Sequence, residues 1–360
     1  MTLYAAIDLH SNNNYLVVID EKDKVVFRRR QANVGSVVLK ALEPFRAELT
    51  GIVVESTYNW YWLVDGLMEA GWTVHLANTA AVKQYEGIKH SNDWTDAQWL
   101  AHLLRLGILP EGHIYPKAER AVRDLSRERL RLVAERSRQI ISLEGIYARQ
   151  KGVQMSSRMI QELDSQQIGK GFKDAPLVGQ AVAARMAVLH ALNVQIAGLE
   201  KTVTQEIQAQ PNGERLQTVW GVGKVLGRTI LLETGPVSRF AQEGNYLSYC
   251  RMVESKKWSN GKKKGENNRK CGNRYLCWAF MEAAHFAYRY YPQARSFVDR
   301  KTVRGHRVLG LKALASKLCR ASYFVMRDQV EFDPERLFGS TGRSRPDSRA
   351  IGVGVQSRQI

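Results

Sequence analysis

Three short runs of β-branched and aromatic residues open the chain, and no other feature restricts its fold as tightly. They are residues 2–8 (TLYAAID), 15–20 (YLVVID) and 24–29 (KVVFRR), with SNNN and EKD in the breaks between them. Polar breaks this short make successive runs fold back on one another as hairpins. Val34, Val37, Val38, Leu39, Leu42 and Phe45 then recur at helical spacing over 34–48. GIVVE (51–55) is a continuous apolar run closed by an acid, the mark of a buried strand. A helix follows over about 58–70, a further strand at TVHLA (73–77), and helical patterning over about 93–107. A meander followed by strand–helix alternation predicts an α/β domain with a mixed sheet over residues 1–110.

Charge narrows the partner. Lys and Arg number 53 against 35 Asp and Glu, a net charge of +18 over 360 residues. Apolar residues at 44% and charged residues at 24% exclude a wholly disordered chain. The length predicts two or three domains. Four cysteines without a C-x-x-C pair suit a reducing cytoplasm better than a disulfide scaffold. The spacings of Cys250, Cys271, Cys277 and His285 match no usual zinc finger. MTLYAAIDLHSN lacks the basic start of a signal peptide. No uncharged apolar run reaches about 18 residues, so no membrane partner is expected. A strongly basic chain of this kind expects a polyanion.

Helix dominates the middle, 111–212. A 3/4 spacing runs through Val122, Leu125, Arg129, Leu132, Arg136, Gln139, Leu143 and Ile146, where five of the eight positions are apolar. A cleaner seam runs Leu189, Leu192, Ile196, Leu199, Val203. With Gly169, Gly171 and Pro176 between them, the two segments predict a long antiparallel helical pair. It serves either as a helical linker packed on its own domain or as an oligomerisation coiled coil. Residues 213–330 read as a third, mainly helical unit, with helices at 275–290 and 308–328 and a basic loop at 256–274. The Gly/Ser/Arg-rich tail after 338, within 331–360, is expected to be disordered.

Four acids stand out in the first domain. Asp8 closes the first strand and Glu55 closes GIVVE, so adjacent strands would bring them to one edge of the sheet. Asp93 and Asp96 are three apart and share a helical face. Taken singly, each reads as a surface acid or a helix cap, Asp93 of the helix it opens. Four converging carboxylates repel one another unless divalent cations neutralise them, and Mg²⁺ suits hard oxygen donors.

AIDLHS (6–11), VVESTYNW (53–60) and NDWTDAQWLAHLL (92–104) together resemble a RuvC-like, ribonuclease-H-fold domain with a DEDD acidic set. Their order and spacing are similar to the IS-one-ten family of insertion-sequence transposases, also described as bridge-RNA-guided DNA recombinases. The resemblance covers about residues 1–338. It implies that Asp8, Glu55, Asp93 and Asp96 bind Mg²⁺, and that the C-terminal unit is a transposase domain carrying a helix-hairpin-helix-like segment and a nucleophilic serine.

That segment is LQTVWGVGKVLGRTILLETG (216–235). Its GVG turn, with Gly221, Gly223 and Lys224, either packs two helices tightly or offers backbone N–H groups to a phosphate. Neither a P-loop nor a dinucleotide fingerprint fits it. Downstream, residues 256–274 hold eight Lys/Arg and one Glu. Lys256, Lys257, Lys262, Lys263, Lys264, Arg269, Lys270 and Arg274 are therefore candidate phosphate contacts, joined by Arg123, Arg127 and Arg131 of the middle helices. In the family, a serine before a Gly and a basic stretch is the nucleophile. Ser259 in W-S-N-G fits that place, with Ser255 as the alternative. Taken by itself, Ser259 is a turn residue in a solvated basic loop.

The resemblance implies serine attack on a DNA phosphodiester, a phosphoserine intermediate, and a homo-oligomer (dimer or tetramer). A structured guide RNA would pair with target and donor DNA. Two other functions fit the residues: a metal-dependent nuclease or junction resolvase using only the acids, and a nucleic-acid-binding scaffold without chemistry.

Overall fold

In the computed structural model, which describes residues 1–82, 92–208, 212–254, 256–266, 271–303 and 306–339, the opening runs form strands β1 (Leu3–Leu9), β2 (Asn13–Asp20) and β3 (Val25–Ala32). β1 pairs antiparallel with β2, and β2 with β3. Helix α1 (Gly35–Leu42) leads to β4 (Leu49–Glu55), α2 (Tyr61–Glu69) to β5 (Val74–Ala77), and α3 (Asp93–Arg105) follows. β4 lies parallel to β1, and β5 parallel to β4, giving the order β3-β2-β1-β4-β5. This mixed five-stranded sheet is consistent with a ribonuclease-H-like domain.

Strand side chains alternate between faces, and here both faces are buried. Ile7, Leu9, Leu16, Val18, Ile52 and Val54 pack with Val38 and Leu42 of α1 and Leu63, Val64 and Leu67 of α2. Ala6, Val17, Ile19 and Val53 pack with Ala97, Leu100 and Ala101 of α3 on the other face. The far end of α3 is tied to the β2–β3 turn. Asp23 accepts both Nε and Nη2 of Arg105, at 2.7 and 2.6 Å, and its Oδ1 lies 2.8 Å from Nδ1 of His102.

The middle is a helical hairpin. α4 (Lys117–Lys151) ends at Gly152, whose φ of 66° closes the helix in the left-handed region. Two short helices, α5 (Ser157–Gln161) and α6 (Ser165–Gly171), occupy what the sequence suggested was only a break, and α7 (Pro176–Ile207) returns. The polar members of the first seam now have a reason. Arg129 donates to Glu200 at 3.1 Å, Arg136 to Asn193 at 3.4 Å, and Gln139 accepts from Arg185 at 3.0 Å. These pairs run in opposite chain directions, so α4 and α7 are antiparallel. Beyond them Ile140, Leu143 and Tyr147 meet Val182, Met186 and Leu189 in an apolar cluster closed by Ile160 and Phe172. By length and composition, α7 is also apolar enough to cross a membrane.

The remaining elements are α8 (Asn212–Leu216), α9 (Lys224–Thr234), α10 (Glu243–Tyr249), a hairpin of β6 (Lys256–Ser259) and β7 (Lys262–Glu266), then α11 (Arg274–Tyr290), α12 (Pro292–Thr302), α13 (Arg307–Asp328) and α14 (Pro334–Phe338). Contacts divide the chain into two units, Met1–Val203 with Glu254–Gly272, and Thr204–Val253 with the chain from Asn273 onward. The hairpin therefore packs with the first unit. Ser255, Arg269, Lys270 and the tail beyond Gly339 lie outside the described residues.

In the second unit a buried polar group sets the start of α11. Asn273 caps the helix by accepting from Tyr275 N and Leu276 N, at 2.8 and 3.1 Å. Its amide donates to Glu233 Oε2 at 2.6 Å and to Tyr249 Oη at 3.2 Å. Glu233 is itself buried, so its carboxylate depends on such donors. Asn273→Ala removes the cap and one donor together, and is expected to cost about 2–4 kcal/mol. Urea unfolding measures this; a loss under about 0.5 kcal/mol, the size of a neutral surface change, would refute it.

Candidate active site

Strand alternation decides where the acids point. Asp8 shares the parity of Ala6, and Glu55 that of Val53, so both carboxylates rise on the face covered by α3. β1 and β4 are adjacent and parallel, with Ile7 opposite Val54, so the two acids emerge side by side at the carboxyl ends of the central strands. That end of an open α/β sheet is where ligands are ordinarily received. α3 delivers the other two acids from its first turn. Asn92, not Asp93, caps the helix, accepting from Trp94 N and Thr95 N at 3.1 Å each, while Thr95 closes the capping box. Asp93 is thereby released from the capping role its position suggested.

The electrostatics record the crowding. Burial and the neighbouring Asp8 and Asp96 push the Glu55 carboxyl up to about 8, and it shares a hydrogen bond with Asp8. Asp96 is raised by burial, then by Asp8 and Asp93. His10 lies among them, its Nε2 3.3 Å from Asp8 and 3.4 Å from Asp93. Asp8, His10 and Asp93 offer donor atoms close enough to share one cation. A hydrogen bond to Asp93 is the main reason the Tyr15 hydroxyl holds its proton more firmly than an ordinary tyrosine. Glu55 and Asp96 also border a cavity of about 290 Å³ with Thr79 and Trp99. Mutually raised carboxylates at one sheet edge fit a divalent cation, which would relieve the repulsion that now keeps a proton on Glu55.

Several neighbours of the acids carry no motif. Register places Tyr15 beside Asp8, and Arg30 beside Tyr15, in one row across the sheet. Trp94 packs edge-on to Tyr15 at 4.8 Å, and the guanidinium groups of Arg28 and Arg30 lie 5.6 and 5.7 Å from the Trp94 and Tyr15 rings. The alternation of β3 could have exposed the arginine row, but only the pairing register reveals that it leads to the acids.

Ser259 stands at the tip of a β-hairpin rather than in a loop. It pairs with Lys262, and the two residues between them, Asn260 and Gly261, have φ of 49° and 69°. Two successive left-handed residues of the Asn-Gly type make the tight turn that matches strand twist. Ser259, Lys262, Lys263 and Lys264 are exposed. Further along the chain, the Cys271 thiol donates to the carbonyl of Ala80, the residue after Thr79 of the acid-lined cavity, at 3.2 Å. No hydrogen bond joins Ser259 to an acid among the described residues.

The other candidate contacts are placed unevenly. Arg123 is buried, with its guanidinium on Tyr61 Oη at 3.0 Å and over the Tyr115 ring at 4.2 Å. Arg127 reaches Asp124 at 3.7 Å, and exposed Arg131 pairs with Glu128 at 2.9 Å. Lys256 pairs with Glu254, and the Arg274 side chain donates to Tyr275 Oη at 3.1 Å. Lys257 continues β6. Gly221 and Gly223 flank the turn before α9, with Gly223 at its N-cap and Lys224 exposed at its first position.

Comparison with known proteins meets this geometry from outside. Residues 5–147 match a family model described as a transposase with the DEDD label of IS110, and residues 213–299 match one described as transposase IS116/IS110/IS902 family. A Streptomyces coelicolor protein, "Insertion element IS110 uncharacterized 43.6 kDa protein", is 25% identical over 193 residues. That match covers 51% of this chain and 46% of the relative, so the chain spans about half the length of the curated protein it matches.

The raised Glu55 carboxyl makes a prediction. Without a divalent ion, the folded chain retains a proton between the ordinary carboxylate range and pH 8 that the unfolded chain releases. Stability therefore falls as pH rises across that window. Thermal melts in EDTA should lose stability from pH 5 to pH 8, Mg²⁺ should restore more at pH 8 than at pH 5, and Glu55→Gln should flatten the pH dependence. A melt that rises steadily with pH in EDTA would contradict this.

Proposed function

Because the chain belongs to the IS110 family of transposases, we propose that it is a DNA recombinase that joins a metal-dependent acidic site to a serine nucleophile. The observation that carries the reading is the convergence of Asp8, Glu55, Asp93 and Asp96 where β1, β4 and α3 meet. Asp8, Asp93, Asp96 and Glu55 would hold Mg²⁺, with His10 within reach of the same ion. When bound, a divalent ion there would stabilise charge developing on the phosphate oxygens.

The chain's own residues would then divide the work. The exposed lysines of β7 draw the backbone to the hairpin tip. There the Ser259 hydroxyl attacks phosphorus. An ester forms between Oγ and phosphorus, the bond from phosphorus to one deoxyribose oxygen breaks, and that oxygen leaves as a hydroxyl. The serine proton passes to a carboxylate of the acidic site, which returns it to the departing deoxyribose oxygen, since a serine needs a base to act at neutral pH and the leaving oxygen needs an acid. Support for pairing the serine with these acids is their membership of one compact unit. A second strand's hydroxyl would reverse the step, resealing DNA to a new partner.

The reading further assigns the segment 213–330 to the transposase domain, with its Ser259 hairpin folded into the first unit, and 111–212 to assembly of a homo-oligomer through the antiparallel helices. Guidance by a structured RNA follows from the family resemblance. Among the proposed phosphate contacts, Arg131, Lys224 and Lys262–Lys264 suit the role through their exposure, whereas Arg123 serves the joint between α4 and α2.

Two substitutions separate this mechanism from simple metal-dependent hydrolysis. Ser259→Ala should abolish the covalent protein–DNA adduct, seen as a protease-resistant shift of labelled DNA, while leaving DNA binding within about twofold. Asp8→Asn should abolish cleavage altogether. Strand cutting that survives in Ser259→Ala but not in Asp8→Asn would show a nuclease using the acids alone.

A further inference from the structure

The second unit carries a cavity that neither the acids nor the serine uses. Gly221, with φ of 81°, sits where a Cβ would overlap the Ala283 carbonyl, so the 219–223 turn is pressed onto α11. This contact shapes a cavity of about 480 Å³ between the turn, the first turn of α9 and the end of α11. Its floor is aliphatic, with Val222 and Leu226, and its far wall is aromatic, formed by Phe286, Tyr290 and Tyr291.

The aromatic wall is open to solvent at one end and stacked behind at the other. The Phe286 and Tyr290 rings lie one helical turn apart, within 9° of parallel, with centroids 6.4 Å apart. Both are exposed, Phe286 at 45% and Tyr290 at 61%. Tyr291 is backed by Trp220, stacked at 4.4 Å and 12°, and Trp220 is backed by Phe338 at 5.3 Å and 17°. A cation lines it too: Lys224 stands exposed at the start of α9, and outside the lining the Arg289 guanidinium lies 5.4 Å from the Tyr290 ring. Among the described residues, no Asp or Glu lines the cavity. The first amides of α9 also lack helical partners of their own, as at any helix start.

A ligand for these walls needs a flat apolar body and an attached anion. We propose that the cavity receives an unpaired nucleotide of a single strand, its base against Phe286 and Tyr290 and its phosphate at the start of α9 beside Lys224. Base–aromatic stacking needs no particular sequence, because every base presents a π-face. A base within an intact duplex is already stacked and paired, so the site selects for melted or nicked nucleic acid. The inference does not rest on the serine or on the metal site; it needs only a chain that meets single strands.

The test uses the full chain in EDTA, so that no strand is cut and the result is independent of catalysis. Oligonucleotides carry 2-aminopurine at one position, as single-stranded DNA, as single-stranded RNA and as duplex DNA. Binding should quench the single-strand fluorescence and leave the duplex probe unchanged; the tighter of the two single strands identifies the physiological source. Phe286→Ala and Tyr290→Ala should each weaken single-strand binding about tenfold and remove the quench. Tyr290→Phe should bind like the parent, and Tyr290→Leu, which keeps apolar bulk without a ring, should behave like Tyr290→Ala. Both side chains are exposed, so melting temperatures should not move. Unchanged quenching in the alanine and leucine variants, or equal effects on duplex, would overturn the proposal.

Discussion

Mutual repulsion among four carboxylates is the constraint around which the first unit is arranged. Left free, side chains of one sign move apart into water. Here they are denied that choice. Asp8 and Glu55 end two adjacent parallel strands, and their parity sends both to one face. Asp93 and Asp96 are clamped by a helix whose far end is anchored through Arg105 and His102 to Asp23. Apolar packing on both faces of the sheet holds strands and helix against the repulsion, and Glu55 answers by keeping a proton. Carboxylates held this close suit a divalent cation, whose charge would offset their repulsion.

Much of this architecture follows from local pattern. The β-branched runs, the GIVVE strand and the Asp-x-x-Asp spacing each carry enough periodic information to place their acids. What escaped the pattern depends on pairing. His10, Tyr15, Arg28 and Arg30 approach the acids through strand register and ring packing, which no single segment encodes. The capping role suggested for Asp93 belongs to its neighbour because Asn92 and Thr95 form a reciprocal pair. The polar interruptions of the α4 seam look like weak helical amphipathicity until Glu200, Asn193 and Arg185 are seen opposite them.

The basic segment shows the same lesson at closer range. Its lysines drew attention by number, yet the informative residues are Asn260 and Gly261, whose left-handed backbone turns a charged stretch into a hairpin with a serine at its tip. Two of its cations pair within the chain, Lys256 with Glu254 and Arg274 with Tyr275, so counting charge overstates what remains for phosphate. Arg123 makes the point more strongly, since its charge is spent on Tyr61 and Tyr115 inside the fold.

The chain leaves the first unit after Val203 and comes back for Glu254–Gly272 before leaving again. That discontinuity ties inheritance to topology. Acids and serine are far apart along the gene yet belong to one folding body, so neither half can be exchanged between relatives as a cassette. A crossover anywhere between residues 204 and 253 would graft one lineage's serine hairpin onto another's sheet. Contacts between the returning segment and the first unit, such as that of Cys271 with Ala80, must therefore change in step.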